Sequence, residues 1–383
     1  MNHAQNDAKS DAAGPSKWDP TALPNALGYR MPAEWEPHAA TWIAWPCERS
    51  DWPGKFAPIP WVYTEITKYL ARSERVGIVV RNPKTMRRIA DRLNKAGVDL
   101  GRVEFVEAAT DRSWLRDSFP TAVVTDRPHL PELALLHWRF NGWARYPNFE
   151  RDRKLPRRLS QVINSPRFAP RRPDGSRVVL EGGAIEVNGR GTLLTTEECL
   201  LGDEQIRNPG YDRAAYERLF ADYLGASRII WLGRGIAGDD THGHVDDLTR
   251  FVDAKTVVTV VEANPEDANH QPLLDNLKRL ERATDQDGAS LRVVALPMPA
   301  PVYFDGQRLP ASYANFYVAN TVVLVPTFND PNDRVALDAL AGLFPGRTVV
   351  GIHAVDLVLG LGTLHCLTQQ QPAGQMTIAT TMI

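Results

Sequence analysis

The sequence predicts a mixed α/β fold in which short strands alternate with amphipathic helices. Runs of β-branched residues recur along the chain, and segments with the hydrophobic period of a helix separate most of them. Polar turns between closely spaced strands indicate antiparallel hairpins as well. This mixture argues against a purely parallel, doubly wound sheet.

The alternation of strand and helix is visible in several parts of the chain. Residues 76–80 (VGIVV) are predicted as a strand, residues 84–96 as a helix and residues 103–108 (VEFVEA) as a second strand. Segment 180–198 contains Asn188 and Gly189, the dipeptide of a type I′ hairpin turn. Further units are predicted as a helix at 211–224 and a strand at 228–232, strands at 257–263 and 291–297 around a helix at 273–282, and strands at 321–328 and 348–354 around a helix at 335–344.

Composition indicates one large globular domain with an extension. Of the 383 residues, 43% are hydrophobic and 23% are charged, which is ordinary for a globular protein with a sizeable core. Residues 1–28 are rich in Asp, Ala, Asn, Ser and Pro and lack hydrophobic periodicity, so they are predicted to form a flexible extension. Residues 29–383 are predicted to form the catalytic domain.

Charge and cysteine usage limit the partners and the compartment. A net charge of -2 gives no broad basic field, which argues against nucleic acid as a partner. No apolar run is long enough for a membrane helix, and the amino terminus lacks the features of a signal peptide. The three cysteines lie far apart, as is usual in a reducing compartment, so a cytoplasmic location is predicted. Assembly into a homo-oligomer stays open.

Segment 239–247 (DDTHGHVDD) carries the densest set of reactive side chains. If this segment is extended, His242, His244 and Asp246 share one face. Two chemistries fit that face. In one, the three side chains bind zinc; in the other, His244 is a general acid/base and the Asp246 carboxylate binds a cationic substrate. The segment is similar to the signature of metallo-β-lactamase-like hydrolases, but Asp247 stands where that signature has histidine. The metal-free interpretation is therefore favoured.

Three other segments are candidates for the same site. In segment 360–372 (GLGTLHCLTQQQP), glycines allow a ligand to approach the backbone beside Cys366, although a lone cysteine is more often a small core residue. A nucleophilic cysteine needs a cation or histidine nearby. His365 is predicted to point to the opposite face of a strand, so His244 is the better partner. Asp117 in SWLRD and Glu181 in LEGG each offer a carboxylate to a cationic substrate. The alternative for Asp117 is a surface ion pair, and the alternative for Glu181 is a bend in a strand.

Taken together and in order, these motifs resemble the agmatine deiminase family of the guanidino-group-modifying superfamily, which includes arginine deiminases and bacterial peptidylarginine deiminase. The resemblance covers nearly everything after residue 28. It implies a pentein-type five-bladed α/β propeller with pseudo-fivefold symmetry and a central active site. The matching motifs are MPAEWEPHAATWIAWP, SWLRD, FNGW, LEGGAIEVNGRGTLLTTEECLL, GHVDDLTRFV, ASYANFYVAN and LHCLTQQQP.

The resemblance implies a role for each residue. Cys366 would attack the guanidinium carbon, His244 would transfer protons, Asp117 and Asp246 would hydrogen-bond the guanidinium, and Glu181 would contact the substrate or orient the imidazole. The residues expected to bind or support the substrate are Trp114, Asp240, His242, Asn315 and Gly362. No metal or organic cofactor is expected.

The implied reaction converts a small guanidine, agmatine, and water into N-carbamoylputrescine and ammonia through an amidino-cysteine intermediate. The alternatives are deimination of another guanidine, including peptidyl-arginine, amidino transfer, and zinc hydrolysis by the HxHxD segment. The chain reads DTHGHVDD, WLRDSFP and GLGTLHC where the family commonly has ETDGHVDN, WxRDTGP and GGGNIHC. Because His242 replaces an acid near the expected position of the substrate tail, the choice of guanidine stays open.

Overall fold

Five sheets with one shared connection pattern make up most of the protein. The structure is a computed structural model that describes residue 19 and residues 21–373. In each sheet, the first strand pairs antiparallel with the second, and the second pairs in parallel with a third. A helix connects each of these parallel pairs, as parallel strands require. The predicted mixed α/β fold is confirmed.

The sheets are numbered here by the position of their second strand in the chain. Sheet 1 contains Thr368–Pro372, His38–Ala44, Arg75–Val80 and Val103–Glu107, so its first strand comes from the carboxyl-terminal part of the chain. Sheet 2 contains Thr121–Val124, Leu133–Leu136 and Arg167–Phe168, and sheet 3 contains Glu186–Val187, Thr192–Thr196 and Arg228–Leu232. Sheet 4 contains Thr249–Phe251, Thr256–Val261 and Arg292–Pro297, and sheet 5 contains Tyr317–Val318, Val322–Thr327 and Thr348–His353. A separate hairpin pairs Tyr303–Phe304 with Gln307–Arg308.

The crossover helices begin and end at residues that are favourable as helix caps. Helix Pro83–Lys95 follows Asn82, whose side chain accepts a hydrogen bond from the Thr85 amide. Helix Arg213–Leu224 ends at Gly225, which has a φ of 69°. The other helices are Ile59–Leu70, Leu155–Ile163, Glu197–Leu201, His270–Glu281 and Asn332–Leu343, with single turns at Leu115–Ser118 and Leu364–Leu367.

Short 3-10 helices occupy several of the connections. They are Asn25–Leu27, Arg49–Asp51, Leu100–Arg102, Asp152–Lys154, Gly182–Ala184, Val245–Asp247 and Leu357–Gly360. Leu27 is fully buried, so folded structure begins before residue 29, the predicted start of the domain. Most of the predicted extension, residues 1–18 and residue 20, lies outside the described residues.

The predicted hairpin at residues 180–198 is present, but its turn is not of type I′. Four residues, 188–191, connect the strands, and Gly189 and Gly191 have φ values of 71° and 118°. The Asn188 carboxamide accepts hydrogen bonds from the backbone amides of Arg190 and Thr192. The asparagine therefore stabilises a longer loop through its side chain.

Two large apolar clusters bury the faces of these sheets. The larger cluster joins residues of sheets 1, 4 and 5, and the second joins residues of sheets 2 and 3. Strand Thr192–Thr196 is buried along its whole length, as expected for a central strand with both faces covered. Among the described residues, no helix has the length and apolarity needed to cross a membrane.

Candidate active site

The candidate residues occupy equivalent positions in the five sheets. Each lies in the short segment that leads directly into the first strand of a sheet. Asp117 precedes sheet 2, Glu181 sheet 3, Asp246 sheet 4 and Asn315 sheet 5, and Cys366 precedes the first strand of sheet 1. These five buried residues, far apart in sequence, form one linked cluster around His244.

Cys366 lies on a single helical turn, where it is 7% exposed and lines a cavity of about 310 Å³. Its Sγ accepts a hydrogen bond of 3.1 Å from Asn315 Nδ2 and lies 3.7 Å from Asp246 Oδ2. Burial and the nearby carboxylates, with Asp246 first among them, raise the pKa of the thiol well above its usual value. In the protein alone, Cys366 is therefore a protonated thiol at neutral pH.

His365 does not lie on the opposite face of a strand as predicted. It belongs to the same helical turn as Cys366, and its imidazole is buried between two carboxylates. Nδ1 lies 2.6 Å from Asp246 Oδ2, and Nε2 lies 2.8 Å from Glu34 Oε2. Although burial opposes ionisation, the His365 hydrogen bond and charge keep the pKa of Asp246 below its usual value. His365 thus holds Asp246 as a carboxylate next to the thiol.

Glu34 was not predicted, yet it anchors this part of the site. Its carboxylate also contacts Arg116, at 3.3 Å, and Arg250, at 3.0 Å. Arg250 in turn pairs with Glu186 at 2.9 Å. Although burial alone would raise the pKa of Glu34, Arg250 and the other cations keep it well below the ordinary value. A buried ionic network therefore fixes the orientation of His365 and Asp246.

His244 and Asp117 face each other on the other side of the cluster. The distance from His244 Nδ1 to Asp117 Oδ2 is 4.0 Å. Asp117 Oδ1 accepts a hydrogen bond from the Gly183 amide and Oδ2 one from Trp143 Nε1, each 2.9 Å long. Neither ring nitrogen of His244 has a hydrogen-bond partner among the described residues. Trp143, in the FNGW motif, was another residue that sequence reasoning missed.

The electrostatic environment favours a protonated His244. Burial alone would lower the pKa of its imidazole, but Asp117, the Cys199 thiol and Asp246 raise it well above the usual value. Burial also raises the pKa of Asp117, while His244 opposes that shift. The pair can therefore hold a proton at the site, which suits His244 to donate one to a leaving group.

Glu181 is fully buried behind His244 and presents one free oxygen. Its Oε1 accepts a hydrogen bond of 3.2 Å from Arg207 Nε, whereas Oε2 has no partner among the described residues. Arg207 also donates to the Thr241 carbonyl at 2.6 Å. Cys199 lies beside this pair, with its sulfur and the nearest polar atoms of Glu181 and His244 within 4.8 Å of one another.

Segment 239–247 is not extended, so the condition under which its three ionisable side chains would share a face is not met. His242 and Gly243 have φ values of 66° and 91°, and Val245–Asp247 forms a 3-10 turn. His242 lies beside Glu204, with 3.9 Å between Nδ1 and Oε2, and does not line the cavity. Because His242, His244 and Asp246 do not share a face, the geometry does not support the HxHxD zinc site.

Metal-ligating atoms do converge in two other buried groups of the described residues. One is Glu181, Cys199 and His244, and the other is Asp246, Asp247 and Cys366. Burial and the neighbouring charges of Asp246 and Asp239 raise the pKa of Asp247 well above its usual value, which favours a neutral carboxyl group. Rather than offering a charged ligand to a metal, Asp247 accepts a hydrogen bond of 3.0 Å from Asn315, the residue that also contacts the Cys366 thiol.

Trp114 and Gly362 shape the cavity wall next to the thiol. A Cβ added to Gly362 would lie 3.0 Å from the Trp114 ring and 3.0 Å from the Cβ of Cys366. The backbone therefore approaches the thiol more closely than a larger residue would permit. Both residues line the cavity, and their contact with a substrate stays a prediction.

The outer part of the cavity carries further acidic groups. Asp240 accepts a hydrogen bond from the Tyr146 hydroxyl, and burial raises the pKa of Asp240 to about 6. Asp51, which was not predicted, forms a 2.6 Å ion pair with Arg112, and burial raises the pKa of Asp51 to about 7. Arg112 stacks 4.1 Å above the Tyr146 ring. A planar cation can thus lie beside Cys366 with its tail directed toward this acidic rim.

Known proteins are similar to this chain in both fold and sequence. The agmatine deiminase of Pseudomonas aeruginosa is 35% identical over 378 residues, covering 93% of this chain and 98% of that protein. The solved agmatine deiminase of Enterococcus faecalis is 29% identical, with a TM-score of 0.84 over 93% of this chain and 99% of that one. A putative arginine deiminase from Porphyromonas gingivalis is 34% identical, with a TM-score of 0.79 over 90% and 99%.

The protein is an enzyme that hydrolyses C–N bonds of guanidino groups. Its residues 30–372 match the family model described as Porphyromonas-type peptidyl-arginine deiminase. The chain therefore belongs to that family, and the agmatine deiminases named above are its relatives.

Proposed function

We propose that this enzyme hydrolyses agmatine to N-carbamoylputrescine and ammonia through a covalent intermediate on Cys366. The observation that carries the proposal is the placement of the thiol 3.7 Å from the Asp246 carboxylate, in a cavity that Asp117 also lines. A guanidinium is planar and cationic, and carboxylates can hold its N–H groups in a fixed orientation.

The first step is attack by Cys366 on the guanidinium carbon. The positive charge of the bound substrate offsets the carboxylates that raise the pKa of Cys366, so the thiol releases its proton to solvent when the substrate binds. The S–C bond forms, the C–N bond to one amino group breaks, and that group leaves as ammonia with a proton from His244. The other nitrogen atoms stay on the carbon, as an amidino-cysteine that carries the substrate tail.

The second step uses the neutral imidazole that remains. His244 accepts a proton from water, whose oxygen attacks the amidino carbon. The C–S bond breaks, the proton of the newly added hydroxyl group passes to the departing sulfur, and the neutral ureido product leaves with Cys366 restored as a thiol. Glu181, with a free Oε2 behind His244, is suited to orient the imidazole or contact the substrate, and Asn315 stabilises the sulfur by its hydrogen bond.

Agmatine is favoured over guanidines with uncharged tails because of the acidic rim. The Asp240 carboxylate lines the outer cavity, and an ammonium group there would neutralise its charge, whereas Asp51 is already paired with Arg112. His242 does not line the cavity, so we infer no contact between it and the substrate tail. All three cysteines are free, and a thiol nucleophile suits the reducing conditions of the cytoplasm.

The repeated sheets support a five-bladed propeller with pseudo-fivefold symmetry. Each of the five sheets has the same order of strands and helix, and each is preceded by one residue of the site. A ring of five such units would bring these segments to a common centre. The strand Thr368–Pro372, paired with His38–Ala44, would close the ring by joining the two ends of the domain.

The decisive experiment measures ammonia release from a panel of guanidines. Agmatine, arginine, a peptidyl-arginine substrate and an alkylguanidine without an ammonium group are compared, with chelator-treated enzyme and with an amine acceptor added. We expect agmatine to be preferred and ammonia to be released in equal amount to the ureido product. Preference for peptidyl-arginine, transfer to the amine, or activity that requires added zinc would each overturn the proposal.

The nucleophile is tested by mass spectrometry of enzyme quenched during turnover. The adduct should map to the peptide that contains Cys366, and Cys366→Ser should bind substrate without turning it over, because a hydroxyl is a far weaker nucleophile. Cys47→Ser is the control, since Cys47 lies outside the cluster of candidate residues and should be dispensable. An adduct on another residue would contradict the mechanism.

A further inference from the structure

A second cavity, distinct from the candidate active site, is lined almost entirely by cations. Its volume is about 330 Å³, and its lining consists of His137, Arg139, Arg153, Lys154, Arg157 and Arg177. Residues 139–177 contain eleven Arg and Lys against three Asp and Glu, although the whole chain has a net charge of -2. The balanced overall charge therefore conceals a local concentration of positive charge.

The three acidic residues of this segment leave most of the cavity's cations without a partner, since only Arg153 is paired within the described chain. Glu150 forms an ion pair with Arg153 but does not line the cavity. Asp152 is buried and accepts hydrogen bonds from the backbone amides of Asp111 and Arg112. Asp174 binds the Ser176 amide. The cavity is consequently rich in donors and contains no carboxylate.

Three of its cations are free to bind a ligand. Within the described part of the chain, Arg139, Lys154 and Arg157 form no ion pair, and all three side chains are exposed. Lys154 and Arg157 also lie at the amino-terminal end of helix Leu155–Ile163, whose first turn has no acidic residue. The positive end of the helix dipole adds to their charge.

The surrounding arginines repel one another. Burial lowers the pKa of Arg177, and the charges of Arg171, Arg167 and Arg139 lower it further. The pKa of His137 falls to about 4, because of burial and the charges of Arg177 and Arg167. His137 is therefore neutral at neutral pH. A bound anion would relieve the repulsion among the arginines.

We propose that this cavity binds a small phosphate-bearing polyanion, such as a molecule with a diphosphate or triphosphate group. Guanidinium groups bind phosphate oxygens through paired hydrogen bonds, and lysine adds a compact positive charge. The cavity is concave and of a size suited to a small ligand. None of the exposed large hydrophobic side chains in the described chain lines this cavity. The cavity therefore lacks the aromatic surface on which the bases of a single-stranded nucleic acid usually stack.

Calorimetry with inorganic tripolyphosphate tests the proposal on the full chain. The variant Arg139→Ala/Lys154→Ala/Arg157→Ala removes the three free cations. The matched control, Lys84→Ala/Arg87→Ala/Arg88→Ala, removes the same charge from exposed positions of helix Pro83–Lys95. The wild type and the control should bind one tripolyphosphate per chain, and the cavity variant should bind it at least about tenfold more weakly.

Two further measurements make the result decisive. Deiminase activity should be the same in all three proteins, because none of the six residues contacts the candidate active site. Equal weakening in both variants would show a general charge effect, and absence of saturable binding to the wild type would overturn the proposal. Tighter binding of a short single-stranded RNA, lost in the cavity variant alone, would assign the cavity to a nucleic-acid surface instead.

Discussion

Replacing Gly183 with alanine should impair catalysis by displacing His244. A Cβ at this position would lie 2.5 Å from His244 Nδ1 and 3.1 Å from Asp117 Oδ1. Ordinary contacts of carbon are about 3.5 Å or longer, so the imidazole must move by roughly 1 Å. Misplacement of a catalytic group by that distance lowers the rate by about 100-fold. We therefore expect kcat for agmatine to fall by about that factor.

The same substitution should affect stability less than activity. Overpacking of a buried site typically costs about 1 to 3 kcal/mol, which most folded domains tolerate. Gly342→Ala is the matched control, because an added Cβ there has no neighbour within 4 Å and the residue lies in helix Asn332–Leu343. That control should gain about 0.5 to 1 kcal/mol and keep full activity.

Steady-state kinetics and urea unfolding of both variants check this reasoning. A Gly183→Ala enzyme that unfolds cooperatively, near the wild-type midpoint, but turns over about 100-fold more slowly would support it. Wild-type kcat in that variant would show that the position of the imidazole is unimportant. A loss of activity that merely follows the unfolded fraction would also refute the argument.

Three other outcomes follow from the site. Asp117→Asn and Asp246→Asn should each lower kcat/KM by the equivalent of about 2 to 5 kcal/mol, and normal kinetics in either variant would remove that residue from the site. Alkylation of Cys366 in the free enzyme should be slow at neutral pH and faster as pH rises, because the pKa of its thiol is raised; fast alkylation at pH 7, seen by mass spectrometry, would contradict this. KM for agmatine should rise as pH falls through about 6, because Asp240 then gains a proton and loses its attraction for an ammonium group. The Asp240→Asn variant should not show this pH dependence. A KM that does not change with pH in the wild type would exclude Asp240 as the group that binds the ammonium.

Local sequence signals were sufficient for most strands and helices. The predicted helix at 84–96 appears as Pro83–Lys95, and the predicted strand at 228–232 appears with the same bounds. Helices Ile59–Leu70 and Leu155–Ile163 were not predicted; the second has only nine residues, too few to show a clear period. Segment 239–247 misled the prediction, because alternation of polar residues resembles a strand while positive φ angles at His242 and Gly243 bend the chain.

The composition of the site could be predicted only in part. Conspicuous motifs contain Cys366, His244 and Asp117, and the family resemblance connected them although they lie far apart in sequence. Glu34 lies in the motif MPAEWEPHAATWIAWP, but nothing local singles out either Glu34 or Arg207, because a single charged residue in a sequence is usually exposed. Their functions depend on contacts with His365 and Glu181 that only the folded chain reveals.

The unpartnered buried acceptors of the site are the clearest physical sign of its purpose. Glu181 Oε2 and Asp246 Oδ1 have no hydrogen-bond partner in the described chain. Each unsatisfied buried group typically costs about 1 to 3 kcal/mol, so natural cores seldom retain several together. Here Arg207 and His365 hold the other oxygen of each carboxylate. The remaining acceptors are thereby fixed in place, and a planar cation with several N–H groups is the kind of ligand that would satisfy them together.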